Sequence, residues 1–421
     1  MRIVELTKVQ FDNYSTTNEF KNFYQTSQYG TLMSRHGFKD IYIALVNDNN
    51  KILAASLILI QNLFANFKCA YAPRGFLIDY NNFDLVTAYT NLIKKYLSNN
   101  GISYLKMDPY IVHINRNVKS IPINNKKNGI EIINHLKSIG YVHTGFNLYF
   151  ENLKPRWNAV LKTEENQKNI FTSFSKKTRN KIRSANKKGI KIYKGSKNDI
   201  NLFFDLIDKK HTRKINYYLD YYEIFAKYDM FDIYFAKIDP SIYLKNSKLL
   251  YENELSSNYE LSESMQKNIG NISILNKKME SDKLLDIYKK DVVLATKLNQ
   301  TYHDGIVIAA NAIIKYDNEV FFLIDGIDCK YKKFNANYLL KWKIIEKYSK
   351  EGYTKFHFNG ITGDFNPESK YYGLYDFKTG FNANVKEYIG EFNIITNKPY
   401  YKTYKNLKII EKLFGRNLKK H

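Results

Sequence analysis

The chain has 421 residues, of which 44% are hydrophobic and 15% aromatic, and its 65 lysines and arginines against 41 acidic residues give a formal charge of +24. This composition excludes a disordered chain and predicts a sizeable core divided into two or more domains. The positive charge predicts an anionic partner, either a polyanion or an anionic membrane surface, although a bias toward lysine along the whole chain would give the same total.

The two cysteines, Cys69 and Cys329, form no CxxC pair and no cysteine–histidine spacing typical of zinc. We therefore expect neither a disulfide framework nor a metal site, and a reducing, cytoplasmic setting. The first residues contain no apolar run typical of a signal peptide, and no stretch reaches the roughly 18 apolar residues that cross a bilayer. Any membrane contact is predicted to be peripheral, at the inner face of the cell membrane.

The first part of the chain alternates helical and strand-like patterns. After a polar amphipathic region at 16–36, YIALVN and ILAASLILIQ are joined at DNNK, which predicts a β-hairpin. A strand in FKCAYAPRGFLID, interrupted at Pro73 and Gly75, precedes a helix from about Asp84 to Leu97 and a strand in ISYLKMDPYI. Helices mixed with a partly antiparallel sheet predict an α+β layer.

The same alternation starts again near Pro155. The predicted elements are a strand (NAVLKT), a basic helix (172–188), a strand (IKIYKG), a helix (198–210), the strands FDIYFAKI, IVIAANAIIKY and EVFFLIDGID, a helix (336–350) and the strand TKFHFNG. The second half thus repeats the order of the first, which is consistent with a duplicated fold.

Residues 242–299 interrupt this second alternation and contain no proline. Their apolar residues recur at helical spacing: Met265, Ile269, Ile272, Met279, Leu284, Leu285, Ile287 and Val292. We interpret the segment as two long helices packed through this apolar face into an antiparallel coiled-coil arm. A disordered polar insertion is the alternative, and Gly270 weakens the first helix locally.

The predicted basic helix lies in SFSKKTRNKIRSANKKGIKI, and no acidic residue occurs between Glu165 and Asp199. Its cations are Lys176, Lys177, Arg179, Lys181, Arg183, Lys187, Lys188 and Lys191. An apolar stripe lets the helix pack on the rest of the fold, so the cations form a ridge on a folded scaffold; the stripe consists of Phe171, Phe174, Ile182 and Ala185. Such a ridge suits nucleic-acid phosphates, whereas a solvated face is the alternative for any charge run.

Familiar enzyme motifs are absent from the sequence. It has no GxxxxGK[ST] phosphate loop, no GxSxG elbow and no HExxH metal pair. It also lacks the Q/R-x-x-G-x-G/A loop with which acetyltransferases hold a coenzyme A pyrophosphate. These absences exclude the common nucleotide, serine-hydrolase and zinc-protease sites.

Seven segments occur in one order along the chain: YAPRGFLID (71–79), LKMDPY (105–110), KPRWNAVLKT (154–163), SFSKKTRNKIRSANKKGIKI, FNGITGD (358–364), GLYDFKTGFN (373–382) and EYIGEFNI (387–394). In this combination the chain resembles the Fem family of aminoacyl-tRNA-dependent peptidyltransferases, which build peptidoglycan cross-bridges. Each motif alone is weak, but the seven together are specific and cover nearly the whole chain.

The resemblance implies an α+β fold with two GNAT-like acyltransferase domains and an inserted helical arm. We place the first domain at 1–153, the second at 154–241 and 300–395, the arm at 242–299 and a C-terminal basic helix at 396–421. The implied reaction transfers glycine, alanine or serine from aminoacyl-tRNA, the co-substrate, to the stem-peptide amine of a peptidoglycan precursor, with no other cofactor. The arm favours lipid II over UDP-MurNAc-pentapeptide as the acceptor.

The resemblance also implies catalytic residues. Lys378, in GLYDFKTGFN, matches the family lysine that stabilises the oxyanion formed when the amine attacks the aminoacyl ester, and Phe377 is the neighbour that shapes the site. Without the family pattern, Lys378 would be interpreted as an edge-strand lysine that reaches into solvent. Asp108 matches an acidic position that accepts a proton or orients the amine, although Asp before Pro is also a common turn former.

Acceptor binding requires cations for a diphosphate. Arg35 lies close to where the family keeps a phosphate-binding lysine, and HTRKINYYLDYY (211–222) resembles its Thr/Arg/Tyr group, which here is Thr212, Arg213 and Tyr217. Lys214 beside Arg213 departs from the family pattern and leaves open which cation touches phosphate. Surface solvation of these residues is the competing interpretation.

Further contacts are predicted outside this group. Arg74, in APRG, either binds the precursor or supports a loop geometry that Gly75 allows. The predicted tRNA contacts are Lys177, Arg179, Lys181 and Arg183. The C-terminal helix either lies on anionic lipid or docks onto the first domain, and pairing with a paralogue or a second copy stays open. The alternative functions are tRNA-dependent transfer to a different amine and a non-catalytic tRNA-binding or immunity protein.

Overall fold

The structure, a computed structural model, describes residues 1–62, 67–123, 128–150, 154–164, 169–207 and 213–414, without the side chains of 128 and 407–414. The chain divides into two compact units: unit 1 is Met1–Lys162, Asp220–Met230 and His357–His421, and unit 2 is Thr163–Leu219 and Phe231–Phe356. The domain boundaries drawn from the sequence stay a prediction. Within the described ranges, no helix is long and apolar enough to cross a membrane.

Helices and strands alternate through both units. Up to residue 162 they are β1 (Arg2–Glu5), α1 (Lys8–Ser15), α2 (Ser27–Arg35), β2 (Lys39–Val46), β3 (Ile52–Asn62), β4 (Lys68–Ala72), α3 (Phe83–Asn99), β5 (Ile102–Met107), β6 (Val112–Arg116), β7 (Pro122–Ile123), α4 (Asn128–Ser138), β8 (Val142–His143) and β9 (Trp157–Lys162). From there to residue 350 they are α5 (Ile170–Ser173), α6 (Lys176–Lys187), β10 (Ile190–Lys194), α7 (Ile200–Leu206), α8 (Ile215–Phe225), β11 (Phe231–Ile238), α9 (Pro240–Lys267), α10 (Ile272–Thr301), β12 (Ile306–Tyr316), β13 (Glu319–Ile327) and α11 (Ala336–Lys350). The last elements are β14 (Lys355–Ile361), α12 (Tyr372–Thr379), β15 (Asn384–Tyr388), β16 (Phe392–Ile395) and α13 (Lys398–Phe414).

Unit 1 contains a seven-stranded sheet in the order β1-β2-β3-β4-β5-β16-β8. Strands β2 and β3 pair antiparallel, which confirms the predicted hairpin at DNNK. Strands β4 and β5 pair in parallel, and α3 forms the helical crossover that such a pair requires. Apolar residues of the sheet and of α3, among them Ile58, Ile93 and Leu105, are fully buried in one core, so the sheet is covered on this face.

A second group of strands in unit 1 consists of β9, β15, β6 and β7. Strand β15 pairs antiparallel with both β9 and β6, and β6 continues into the short hairpin with β7. The buried carboxylate of Glu387 in β15 accepts hydrogen bonds from Arg116 in β6 and Arg156 beside β9. These bonds tie together the strands that lie beside the candidate site described below.

In unit 2, strands β10, β11, β12 and β13 pair antiparallel in that order. The sequence predicted one basic helix over 172–188. This prediction is wrong, because the segment is divided into α5 and α6. The Ser175 side chain caps α6 by accepting a hydrogen bond from the Thr178 amide. Ile182 and Ala185 are buried, so the predicted apolar stripe of this helix is confirmed.

Residues 242–299 form helices α9 and α10 and the turn between them, so the alternative of a disordered insertion is wrong. They run antiparallel: Tyr243 near the start of α9 donates to Asp291 near the end of α10, and Asn258 donates to Ser281. A coiled-coil geometry stays a prediction. The predicted apolar seam is wrong near the turn between the helices, because Ile269 and Ile272 are 93% and 72% exposed.

The segments near the C-terminus include one element that the sequence did not predict. No helix was predicted for GLYDFKTGFN, but most of it lies in helix α12. The alternative that Lys378 extends from an edge strand is therefore wrong. Helix α13 packs through Tyr400 and Tyr404 against Phe67 of unit 1, as the docking alternative for the C-terminal helix predicts.

Candidate functional site

Lys378 is held inside unit 1 near the C-terminal end of α12. Its side chain is only 7% exposed, and its Nζ donates a 2.7 Å hydrogen bond to the carbonyl oxygen of Gly360 in β14. A Cβ at position 360 would lie 2.5 Å from Cγ of Pro155, so only glycine lets the strand approach this closely. The ammonium group is thus fixed by the main chain.

Aromatic residues fix the helix that carries Lys378. The ring of Phe377 meets the ring of Phe381 edge to face at 5.6 Å, and Phe381 contacts Phe358 of β14 at 5.2 Å. One turn earlier, the Tyr375 hydroxyl donates to the carbonyl of Val118 at 2.7 Å. These contacts anchor the middle and the C-terminal part of this short helix, so Lys378 and Phe377 occupy defined positions.

Asp108 and Arg74, which are far apart in sequence, meet in a buried pair within unit 1. Oδ1 of Asp108 accepts hydrogen bonds from the Arg74 amide at 2.9 Å and from the Tyr71 hydroxyl at 3.0 Å. Oδ2 lies 3.4 Å from the Arg74 guanidinium. Burial raises the pKa of the Asp108 carboxyl, and the charge of Arg74 opposes this shift. The carboxylate therefore has several partners inside the protein.

Arg74 also supports the loop between β4 and α3. Its backbone has a left-handed φ of 52°, and its guanidinium donates to the carbonyl of Pro155 at 2.8 Å. The guanidinium lies over the rings of Tyr388 and Tyr110, at 4.9 and 5.7 Å from their centroids. This geometry supports the loop role considered for Arg74, while a contact with the precursor stays a prediction.

Lys154, at the start of KPRWNAVLKT, lies among tyrosines in the same unit. Its ammonium is 4.1 Å from the centroid of the Tyr24 ring and donates to the Tyr29 hydroxyl at 3.3 Å. Burial raises the pKa of Asp108, and the positive charge of Lys154, like that of Arg74, opposes this shift. The sequence interpretation did not single out Lys154 or the tyrosines around Arg74, although Tyr71 and Tyr110 stand inside the quoted motifs YAPRGFLID and LKMDPY.

Arg35, the predicted phosphate contact, binds carboxylates. Its guanidinium donates to Oδ1 of Asp220 at 2.5 Å and to Oε2 of Glu223 at 3.1 Å. Nε2 of the neighbouring His36 lies 3.0 Å from Asp220. A diphosphate would have to compete with these two acidic residues for Arg35, and phosphate binding by this residue stays a prediction.

The Thr/Arg/Tyr group lies only partly within the described chain, because Thr212 falls in the undescribed stretch 208–212. Arg213 is exposed, and its guanidinium stacks 4.4 Å from the centroid of the Tyr217 ring. This stacking holds a cation at the surface of unit 2, which an anionic group can reach.

The basic residues of α6 differ in their surroundings. Arg179 donates to the carbonyls of Thr172 and Phe174 at 2.5 and 2.7 Å, and so joins α5 to α6. Lys181 donates to the Tyr338 hydroxyl at 3.2 Å. The exposed cations of α6 itself are Lys176, Lys177, Arg183 and Lys187. The ridge therefore divides into cations that support the scaffold and cations that face solvent.

A cavity of about 320 Å³ lies between α6 and the two long helices of unit 2. Arg183, Lys187 and Lys188 line one side, and Tyr243 and Asp291 line the other. Lys188 forms a 3.4 Å ion pair with Asp291, which also accepts a 2.8 Å hydrogen bond from Tyr243. The cavity is basic with an aromatic wall, a combination that suits a nucleotide.

Comparisons with known proteins agree on one family. The model of the FemAB family matches residues 6–409. Aminoacyltransferase FemA of Staphylococcus epidermidis is 27% identical over 98% of this chain and 100% of that protein, and FemA of a Staphylococcus aureus strain is 25% identical over 98% and 99%. The crystal structure of FemX superposes with a TM-score of 0.73 at 19% identity, over 96% of this chain and 99% of that one.

Proposed function

The chain belongs to the FemAB family and is an aminoacyltransferase, and from this premise we propose that it transfers an amino acid from aminoacyl-tRNA to the stem-peptide amine of a peptidoglycan precursor. The donated residue is of the glycine, alanine or serine type, and lipid II is the favoured acceptor. The observation that carries this proposal is the buried Lys378, whose ammonium is fixed by the Gly360 carbonyl within the family motif.

Lys378 stabilises the charge that develops during transfer. The amine nitrogen attacks the carbonyl carbon of the aminoacyl ester, and the carbonyl electron pair moves to oxygen to give an oxyanion. A cation fixed near that oxygen lowers the barrier, because it is already oriented before the charge appears. A buried position strengthens the interaction, because fewer water molecules screen it.

The intermediate then collapses to the new peptide bond. The electron pair returns from the oxyanion to carbon, and the bond between that carbon and the ribose oxygen of the tRNA breaks. The attacking nitrogen loses one proton, and the ribose oxygen gains one to become a hydroxyl. The tRNA itself or water carries this proton, since the reaction consumes none overall.

Asp108 acts as a positioning residue in this proposal. Its carboxylate is 2% exposed and receives hydrogen bonds from Tyr71 and from the Arg74 amide. A general base needs hydrogen-bond access to the proton that it removes. The contacts of its two oxygens with Tyr71 and Arg74 instead favour a role in shaping the loop that carries Arg74.

The exposed cations of α6 bind the tRNA phosphates. Lys177, Arg183 and Lys187 face solvent, and the half-buried Tyr288 lines the adjacent cavity, where a base can stack. Phosphate contacts of this kind are independent of base sequence and weaken as salt rises. Arg179 and Lys181 support this surface through their hydrogen bonds to neighbouring residues.

The acceptor diphosphate is bound by Arg213, with Thr212 and Tyr217 as its predicted neighbours. Arg213 suits a phosphate because its planar guanidinium can donate two parallel hydrogen bonds. We also propose that α9 and α10 pack with coiled-coil geometry. The protein then acts at the membrane surface on a lipid-linked acceptor.

The test is a transfer assay with purified protein. Total tRNA is charged with one labelled amino acid at a time, and lipid-linked or UDP-linked pentapeptide is supplied as acceptor. We expect label to move to the lipid-linked acceptor from one or a few charged tRNAs. Transfer to the UDP-linked form alone would contradict the lipid-linked acceptor, and no transfer to either by the folded protein would contradict the proposed reaction.

A further inference from the structure

Exposed apolar side chains concentrate at the turn between α9 and α10, which we name the hairpin tip and define as residues 264–279. Ile269 is 93% exposed and Ile272 is 72% exposed, which is unusual for isoleucine. Three more apolar side chains of the tip are between 40% and 51% exposed: Met265, Leu275 and Met279. The tip therefore presents an apolar surface that the two helices do not cover.

The tip has a defined shape. Asn271 caps α10 by accepting hydrogen bonds from the amides of Ser273 and Ile274, and Gly270 supplies the positive φ of 86° that closes the turn. Met265, Ile269 and Leu275 line an open cavity of about 440 Å³ at this turn. The apolar side chains are thus held together at one end of the helix pair.

The charge of the tip differs from that of the helices below it. Residues 264–279 include three lysines and no acidic residue, whereas 240–263 and 280–301 together include eight acidic residues and six lysines. Lys278 is paired with Asp282 at 2.6 Å, and Lys267 and Lys277 are exposed. Two exposed cations consequently flank the apolar side chains.

This combination identifies the kind of partner. Exposed isoleucine and methionine cannot bind phosphates, and the sequence from 260 to 287 contains no aromatic residue on which a base could stack. An anionic bilayer offers both an apolar interior for the isoleucines and phosphates for the lysines. With 28 residues, α9 extends about 42 Å, which allows the tip to reach a surface well away from Pro240.

We propose that the hairpin tip is a membrane anchor, in which Ile269 and Ile272 enter the boundary between headgroups and acyl chains of an anionic bilayer while Lys267 and Lys277 bind lipid phosphates. The anchor goes beyond the transfer reaction and does not depend on it. It holds the protein at the bilayer by a segment that contains no transmembrane helix.

The test is co-sedimentation with vesicles of phosphatidylglycerol and phosphatidylcholine at about 0.15 M salt, where exposed charges more than about 8 Å apart are largely screened. We expect Ile269→Ser with Ile272→Ser to lower the partition coefficient roughly tenfold, because both apolar side chains are lost from the interface. The matched control is Leu249→Ser with Tyr259→Ser, two exposed residues of α9 outside the tip, which should bind vesicles as the unchanged protein does.

The lysines give a second, independent readout. Lys267→Gln with Lys277→Gln should lower binding to anionic vesicles by roughly tenfold and leave the weak binding to pure phosphatidylcholine unchanged. Equal vesicle binding by the isoleucine variant would overturn the proposal and assign the binding to another basic surface. Loss of self-association in that variant, without loss of vesicle binding, would overturn it in favour of a second copy of the chain.

Insertion itself can be observed with a fluorophore at the tip. Ile269→Cys, made together with Cys69→Ser and Cys329→Ser, allows one environment-sensitive label to be attached at position 269. Addition of anionic vesicles should shift its emission to shorter wavelength, whereas a label at Leu249→Cys in the same background should not respond. No shift at position 269 under conditions where the protein sediments with vesicles would contradict the anchor.

Discussion

Lys341 of unit 2 and Lys378 of unit 1 are both buried, but they have different partners. Lys341 of α11 is 1% exposed; its Nζ lies 2.8 Å from Oδ1 of Asp325 and 3.2 Å from Oδ1 of Asn311. Burial lowers the pKa of Lys341, and the charge of Asp325 opposes this shift. Lys378 is similarly buried, but the hydrogen bond that orients it goes to the neutral carbonyl of Gly360.

The difference shows that burial alone does not identify a catalytic lysine. Lys341 pairs with a carboxylate and contributes to packing, whereas the main-chain carbonyl of Gly360 orients the Lys378 ammonium within the family motif, as an oxyanion donor requires. We propose that Lys378 takes part in the chemistry and that Lys341 contributes to the stability of unit 2.

The largest effect is expected for Lys378→Met. Loss of one oxyanion donor should lower kcat by about 10²–10³, or about 2.7–4 kcal/mol in activation free energy. The free energy of unfolding should change by less than about 1 kcal/mol, since methionine fills most of the same volume. Steady-state transfer kinetics and chemical denaturation measure the two quantities on one protein sample. A variant that unfolds readily but retains kcat would contradict the assignment.

Asp108→Asn tests whether the ion-paired Asp108 of unit 1, like Lys341 of unit 2, contributes to stability and not to catalysis. Asparagine keeps an oxygen for the Arg74 amide and the Tyr71 hydroxyl but removes the negative charge beside the Arg74 guanidinium. An uncompensated buried charge should lower the free energy of unfolding by about 3 kcal/mol. We expect kcat of the folded variant to remain within about tenfold. A loss of kcat beyond 100-fold at unchanged stability would instead support a general base.

Lys341→Met is the counterpart of Lys378→Met. It removes the partner of Asp325 and of Asn311, which should lower the free energy of unfolding by about 2 kcal/mol. Because Lys341 lies outside the proposed chemistry, kcat should remain close to that of the unchanged protein. Denaturation and transfer assays run beside those for Lys378 provide the comparison. A kcat loss as large as that of Lys378→Met would remove the distinction between the two lysines.

Exposed cations should affect binding and leave folding intact. Lys177→Gln, Arg183→Gln and Lys187→Gln together should weaken tRNA binding roughly tenfold at low salt, and the difference should shrink as salt rises. The matched control replaces three exposed lysines elsewhere in unit 2, Lys330, Lys332 and Lys333, by glutamine. Filter binding over a salt series measures both variants. Equal losses in the two would show that total charge, and not the ridge, attracts the tRNA.

The smallest effect is expected at Asp239, which caps α9. Hydrogen bonding from Lys191, with help from Ser241, lowers the pKa of Asp239 to about 2. Since this pKa lies below the unfolded value of about 4, the charge adds stability above pH 4 that is lost as pH falls through about 2. Asp239→Asn keeps the cap and removes the charge, so it should lower the free energy of unfolding by less than about 1 kcal/mol at pH 7. Denaturation should show a constant difference from pH 7 to about 4 that declines as pH falls from about 4 through about 2. A difference that grows toward acid would contradict the charge effect.

Most strands and long helices could be predicted from the sequence, because alternation and helical spacing are local properties. Helix 336–350 was predicted at the residues that α11 occupies, but nothing local indicated that Lys341 would be buried beside Asp325. Helix α12 was missed because eight residues are too few for a helical period to stand out among glycines and aromatic residues. The apolar spacing around Ile269 predicted a packed seam. This was wrong near the turn, because periodicity does not reveal where a turn interrupts the helix.

The candidate site was less predictable than the fold. The resemblance drew attention to Lys378 and Asp108, but the contacts that distinguish their roles join distant parts of the chain. The Asp108 carboxylate meets Arg74 across 34 residues, and Arg35 meets Asp220 across 185. Such pairs become visible only when the chain is folded, so a cation that the sequence assigns to phosphate can prove to face carboxylates.

The proposed role of Lys378 is tested most directly by a single-turnover experiment on Lys378→Met. Labelled aminoacyl-tRNA is mixed rapidly with saturating enzyme and acceptor. Binding of the tRNA and of the acceptor is measured on the same sample. We expect unchanged affinities and a transfer step slowed by about 10²–10³, because one oxyanion donor is lost. An unchanged transfer step, or a defect that saturating concentrations restore, would contradict a role for Lys378 in the chemistry.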